Sequence, residues 1–405
     1  MRTRGAGIRT VTFLDIENAL PSVRPLRADL LVPDIFLCAL GFEERAVAYA
    51  GRFVTQAARS GLKGKTAVRF VYSNNAAENI VNAEALKLTL AQSFVDVLSL
   101  GADDPSEVRR ELLNLIDQYS LRQPKVCIVF DISAASGNLI MSVIASLAQA
   151  SATHDLDLQI VYAEARRYYP LHEDFLNHLE QVLVQACEVG SPSSLQEYGV
   201  ADVEINELYA GLPQENQQEF VIALPAYRTE RLTRCLQHLT NEALSVVRDD
   251  VHWILGCPPI DSMSWRLELQ KRIVGTLLRG LSEPLDEWVL TPALYSITST
   301  LDYRGTIAKI LELVDGKPAH NISVVHMGSK MQGIGVALAL TARREVAVCY
   351  ARPTGFNPKQ YSTGVGAFSE ILMSDLSQVL RLIKSVGTLQ MVPNVETERS
   401  GLPPF

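Results

Sequence analysis

The run His326-Met327-Gly328-Ser329-Lys330-Met331-Gln332-Gly333-Ile334-Gly335 follows an apolar stretch and leads into a second one rich in small residues. That pattern is a strand feeding a helix through a loop that can hold a phosphate. Gly328 permits close backbone approach, Ser329 and the helix-terminal amides can donate hydrogen bonds, and Lys330 supplies charge, with Gln332 beside them. The residue order excludes a Walker A loop, in which glycine-lysine-hydroxyl follows four variable residues. It also lacks the third glycine of a dinucleotide fingerprint. The plainer use of the same residues is close helix packing at Gly333 and Gly335, with Lys330 in solvent.

A second turn, Asp131-Ile132-Ser133-Ala134-Ala135-Ser136-Gly137-Asn138, ends another apolar run. Ser133 and Ser136 offer hydroxyls and Gly137 flexibility. Asp131 can bind a ribose hydroxyl or a base edge, act as a base, or cap the following helix. His326 is its approximate counterpart, within two residues. If the chain is an enzyme, Asp131 or His326 is the base and Lys330 the electrostatic stabiliser. Glu44-Arg45 and Glu230-Arg231 open two further helices, where each arginine can fork onto phosphate or pair at the surface. The span 350–366 reads as a long, turn-rich loop that presents Arg352, Lys359, Tyr361 and Ser362, with Gly355, Gly364 and Gly366 as hinges. Arg166, Arg167, Tyr168 and Tyr169 are its first-half equivalents. No HExxH, metal-type Cys/His spacing, GxSxG elbow or kinase signature is present, so no metal or cofactor is expected. Enzymatic activity is left open, with the weight against it.

The elements that must position these residues repeat. Apolar runs at 34–40, 67–73, 94–100, 125–133 and 158–165 alternate with helical patterns, the signature of an α/β protein with a mostly parallel sheet. The helix from 104 opens with a capping aspartate, Pro105 and Glu107. The second half repeats five landmarks in the same order: 219–239 parallels 34–53, 251–262 parallels 68–79, 287–296 parallels 94–103, 321–342 parallels 125–148, and 345–358 parallels 158–170. The expected organisation is a Rossmann-like domain over 1–170, a helical connector over 171–215, a second Rossmann-like domain over 216–392 and a loose tail over 393–405. The halves form an internal pseudo-dimer, so equivalent turns at the carboxyl ends of their strands can face one cleft.

Length and composition agree: 405 residues suit two domains, and 47% apolar with 20% charged residues suits well-packed cores. A formal charge of −8 argues against extensive duplex DNA binding while leaving room for a local basic pocket. Cys38, Cys127, Cys187, Cys235, Cys257 and Cys349 are far apart in sequence and read as reduced, mostly buried thiols. No signal peptide and no apolar run of roughly 20 residues is seen, so a cytoplasmic protein without a membrane partner is expected.

"DISAASG" resembles the aspartate-x-serine turn after the fourth strand of CARF domains (CRISPR-associated Rossmann folds), and "HMGSKMQ" is similar to their glycine-hydroxyl-lysine version. The resemblance, which extends to SAVED domains built like two fused CARF units, would cover most of 34–170 and 219–366. It departs from the pattern at Gly137-Asn138, where a basic residue is usual, and at Gly328-Ser329, where a glycine pair is common. It implies a nucleotide sensor, with cyclic oligonucleotides as the ligand class, in prokaryotic antiphage defence. Almost no sequence is left for an effector, so a separate effector protein is the implied partner. Two other readings stay open: a nucleotide or phosphate-ester processing enzyme, and a non-catalytic scaffold subunit. Homo-oligomerisation is also open.

Overall fold

A computed structural model describes residues 7–10, 12–29, 31–190, 195–240, 250–279, 290–386 and 389–392. The first part of the chain gives β1 (Gly7–Thr10), α1 (Phe13–Ala19), β2 (Arg24–Pro25), β3 (Ile35–Ala39), α2 (Ala48–Ser60), β4 (Gly64–Val71), α3 (Ala76–Ser93), β5 (Phe94–Gly101), α4 (Pro105–Ser120), β6 (Lys125–Asp131), α5 (Gly137–Ala150) and β7 (Asp155–Tyr168). Then come α6 (His172–Asn177), α7 (Leu179–Cys187) and β8 (Glu197–Ala210). The second repeat is β9 (Gln218–Leu224), α8 (Glu230–Thr240), β10 (Val251–Cys257), α9 (Trp265–Arg279), β11 (Tyr295–Ser299), α10 (Tyr303–Asp315), β12 (His320–His326), α11 (Lys330–Ala342) and β13 (Ala347–Phe356). It is followed by β14 (Ser362–Met373), α12 (Leu376–Lys384) and β15 (Leu389–Val392), the last pairing antiparallel with β1.

The fold is α/β, with two mostly parallel sheets of seven and six strands that fit two Rossmann-like halves. Near-continuous apolar strands such as β3 and β9 are buried because helices cover both faces of a parallel sheet. The sheet orders are β2-β14-β7-β6-β3-β4-β5 and β11-β10-β9-β12-β13-β8. In each half the five parallel strands therefore run in the order 3-2-1-4-5, and the duplication expected from sequence is present as repeated topology. The helix from Pro105 is capped as expected, Asp104 accepting from the Glu107 amide at 3.0 Å.

The sixth strands are exchanged. β8 follows the first half but pairs antiparallel with β13; β14 follows the second half but pairs antiparallel with β7. The first residue of each lies opposite the last residue of its partner, Glu197 against Phe356 and Ser362 against Tyr168. Each exchanged strand is anchored by polar contacts. The fully buried Glu370 of β14 takes ion pairs from Arg24 (2.9 Å) and Arg27 (2.8 Å) and a hydrogen bond from Gln159 (2.5 Å). On β8, Asn206 donates to Asn138 at 2.7 Å, and the Tyr209 hydroxyl lies within 3.2 Å of the Met141 carbonyl and 3.4 Å of that of Ala337.

Three sequence expectations change. The span 171–215 holds two short helices and then β8, whose alternating Val203 and Ile205 pack on the second core while Asp202 and Glu207 stay outside. The expected loop 350–366 is mostly strand, with a turn only at 357–361 between β13 and β14. There Gly355 admits the Tyr198 ring, whose Oη lies 2.5 Å from where a Cβ would be, and Gly364 takes φ +71°. The third strand of the second half is Tyr295–Ser299, at the end of the run 287–296 and beyond it; 287–289 lie outside the described residues, as does the tail 393–405.

The halves meet through helices. α5 and α11 are apolar or small nearly all round, the composition of buried helices, and pack against each other in the largest core, flanked by α4 and α10. Gly335 lets α11 approach α10: a Cβ there would lie 2.6 Å from the Tyr303 carbonyl oxygen. The six cysteines are free thiols, and no described helix is long and apolar enough to cross a membrane.

Candidate ligand cleft between the halves

In a 3-2-1-4-5 sheet the loops after strands 1 and 4 diverge and leave a crevice at the carboxyl ends. Here that happens twice, at β3/β6 and β9/β12. Because α5 and α11 pack side by side, the crevices merge. One cavity of about 250 Å³ runs from Arg45, Tyr162 and Ser136 to Pro225, Arg231 and Ser329. A smaller one of about 70 Å³ extends over the first sheet past Phe42, Tyr72 and Asn75. Ala135, Ser136, Lys330, Tyr350, Phe356 and Tyr361 line both.

The two helix-opening turns can now be aligned. β6 ends at Asp131 and β12 at His326, while Ser136 and Ser329 both cap, each accepting at 3.1 Å from the amide three residues on. The first turn is two residues longer, and Lys330 matches Gly137. Lys330 reaches across to the first half, its Nζ donating to the Ala135 carbonyl at 2.6 Å. Burial, reinforced by the Arg45 charge, lowers its pKa to about 8. Gln332 completes a capping box, accepting from the Ser329 amide (2.9 Å) and donating to Thr298 (3.0 Å); it therefore holds the turn in shape. Gly328 lies over that amide, since a Cβ there would sit 2.5 Å from the Gln332 Oε1.

His326 lies between the opening turns of both helices: a Cβ at Gly137 would come to 3.4 Å from its ring, and one at Gly333 to 2.7 Å. The histidine is only 8% exposed and its Nδ1 has no hydrogen-bond partner among the described residues. Burial, then the charges of Arg231 and Lys330, lowers its pKa to about 4, so it is neutral at pH 7.

Asp131 does not line either cavity. It is 2% exposed and accepts from the Ser133 amide (2.9 Å) and hydroxyl (2.5 Å), and Ser133 in turn accepts from the Ala163 amide at 2.8 Å. Burial raises its pKa to about 6, against the lowering by these hydrogen bonds. The pair ties β6 to β7 beneath the cleft, which is a local Asp-x-Ser contact.

The arginines flanking the cleft are matched. Arg45 pairs with Glu43 (2.6 Å) and lies against the hydroxyls of Tyr162 (3.1 Å) and Tyr168 (3.2 Å) and the Ala163 carbonyl (3.5 Å). Arg231 pairs with Glu197 (2.5 Å), donates to the equivalent Ala351 carbonyl (3.2 Å) and lies 6.0 Å from the Tyr350 ring. Glu43 also accepts from Ser362. The first residue of each exchanged strand thus joins an arginine cluster, Ser362 through Glu43 and Glu197 directly. Asn75 adds a latch across the halves: its amide pairs with both backbone groups of Phe356, at 3.0 and 2.7 Å.

Of the other expected residues, Arg352 and Tyr361 line the cleft; Arg352 is 3.8 Å from Asp202. Arg166, Arg167 and Lys359 are exposed and line neither cavity, while Ser362 is buried. Sequence reasoning missed Arg266, Tyr227, Glu164 and Tyr72. Arg266 lines the larger cavity at 5% exposure, and its Nη2 donates to the carbonyls of Tyr168 (2.6 Å) and Pro170 (3.1 Å). Tyr72 accepts from the Ser136 amide at 2.7 Å. The carboxylate of Glu164 also lines the larger cavity, with its pKa raised by burial. Compared with models of known protein families and with curated proteins, the chain matches none.

Proposed function

We propose that this chain is a CARF/SAVED-like nucleotide sensor that binds its ligand across the composite cleft and regulates a separate effector protein in bacterial antiphage defence. The observation that carries the reading is the meeting of two helix-opening turns, with Lys330, over the switch points of both sheets. Helix N-termini attract anions, and the cleft adds aromatic faces at Tyr162, Tyr350 and Tyr361 that suit bases. Cyclic oligonucleotides are the class that the resemblance implies.

Coupling follows from the connections. A ligand that displaces Arg45 or Arg231 from its carboxylate acts on residues at the start of β14 and β8, each of which belongs to the opposite sheet from its predecessor strand. The ligand shifts the equilibrium between arrangements only by its difference in affinity for them. A second reading, turnover of the same ligand, is supported by His326 and Lys330 sharing the cavity; Asp131 is shut away as a base.

The test is titration calorimetry with a panel of linear and cyclic nucleotides, with chromatography of the mixtures afterwards. The sensor reading expects binding without product, and binding at least tenfold weaker in Lys330→Ala. New product moves the assignment to the enzyme. Binding by no member, with co-elution alongside proteins of neighbouring genes, moves it to the scaffold.

A further inference from the structure

The cleft is not symmetric. Over the first sheet the 70 Å³ arm sets Asn74, Asn79 and Asp103 beside aromatic rings such as Phe42 and Tyr72. The larger cavity spans both halves, and at its second-sheet end it has an apolar wall containing Pro225, Pro258, Ile260 and Met263, against which stands Arg266. Its guanidinium lies 4.6 Å from the Trp265 ring and 5.4 Å from that of Tyr227. Only Nη2 is hydrogen-bonded; among the described residues Nε has no partner, Nη1 makes no hydrogen bond, and no carboxylate pairs with the group. Arg45 and Arg231 are each paired with a glutamate, whereas Arg266 and Lys330 make no ion pair among the described residues. A nine-tenths buried arginine without a counter-ion, lining a cavity, is costly unless an anion completes it.

We infer that Arg266 is the phosphate-binding group of an asymmetric subsite over the second sheet, where the apolar wall takes a base and the ligand is the size of one or two nucleotides. This rests on the nucleotide reading for the base but not for the anion. Cavities of 250 and 70 Å³ lie at or below the lower end of small-molecule sites, roughly 300–1,000 Å³. A ring of three or four nucleotides therefore enters only if the halves part.

The test titrates the full chain with inorganic pyrophosphate, 5′-mononucleotides, 5′-phosphorylated linear dinucleotides and cyclic oligonucleotides. Arg266→Gln is expected to weaken pyrophosphate and mono- or dinucleotide binding at least tenfold, and Arg266→Lys less, whereas Arg167→Gln, exposed and lining neither cavity, changes it under threefold. Ligand binding also changes Trp265 emission in the wild type, a signal lost in Trp265→Phe; this readout stands if the Arg266 variants fail to fold. A nucleotide that binds Arg266→Gln as tightly as the wild type, or leaves Trp265 emission unchanged, overturns the subsite and leaves the nucleotide reading intact. Pyrophosphate binding that depends on Arg266, with no nucleotide bound, keeps the anion site and overturns the nucleotide reading. Binding of none overturns both.

Discussion

Lys330 gives the reading a pH signature. In the free chain its pKa is lowered from 10.5 to about 8 by burial and by Arg45, against the pull of Glu43 and Asp131. A phosphate beside it favours the charged form and moves the pKa back up. Between these values the complex then holds more protons than the free protein, so association takes up a proton. Affinity is flat below about pH 7 and falls as pH rises through 8, by no more than tenfold per unit. At about 1.36 kcal/mol per pKa unit the full restoration is about 3 kcal/mol. Lys330 is partly open to the cleft, so solvent screening cuts this to about 1–1.5 kcal/mol, roughly tenfold in affinity. Phosphate monoesters titrate near pH 6, below this window. The assay is calorimetry of the best ligand from pH 6.5 to 9.5 in buffers of different ionisation enthalpy, with Lys330→Arg as the permanently charged control. An affinity flat across pH 7–9.5, or an equal fall in Lys330→Arg, would refute the reasoning.

Other outcomes follow from the packing and the buried charges. Arg45→Met leaves Glu43 buried and unpaired, and a loss of about 3–5 kcal/mol is expected by urea denaturation; Arg231→Met, stranding Glu197, should cost a similar amount. Gly335→Ala drives a methyl into the Tyr303 carbonyl and should cost about 1–3 kcal/mol, read as a lower midpoint at unchanged slope. His326, lowered to about 4 from 6.5, lends stability that is full above 6.5 and lost as pH falls through 4. Stability curves of wild type and His326→Asn should therefore diverge over that window, the wild type losing up to about 3 kcal/mol more on acidification. Asp131 has the opposite sign: raised from 3.8 to about 6, it weakens the fold as pH rises from about 4 to 6, and Asp131→Asn should remove that slope.

The parallel strands were legible because β3, β6, β9 and β12 are apolar runs buried on both faces, and the duplication because such runs recur in one order. The exchanged strands were not. β8 alternates apolar with acidic residues and β14 carries glycines and a buried glutamate, and neither pattern says which sheet will accept the strand. The lysine turn was legible as a helix opening, since serine, glutamine and glycine at those spacings form a cap whatever else they do. Asp131 lies beneath the cleft, a placement the sequence leaves open because a local Asp-x-Ser hydrogen bond and a ligand-facing aspartate look alike there. Arg266 carries no local mark at all. Its environment depends on carbonyls nearly a hundred positions away and on its having no ion pair among the described residues.

In the proposed complex one ligand spans both halves at the turn of Lys330. A crystal structure of the chain with the tightest-binding nucleotide tests it directly. Phosphate density is expected within hydrogen-bond reach of Lys330, with protein contacts from both the 131–137 and the 326–332 turns. Ligand confined to one half, or bound outside the cleft with Lys330 still on the Ala135 carbonyl, would contradict it.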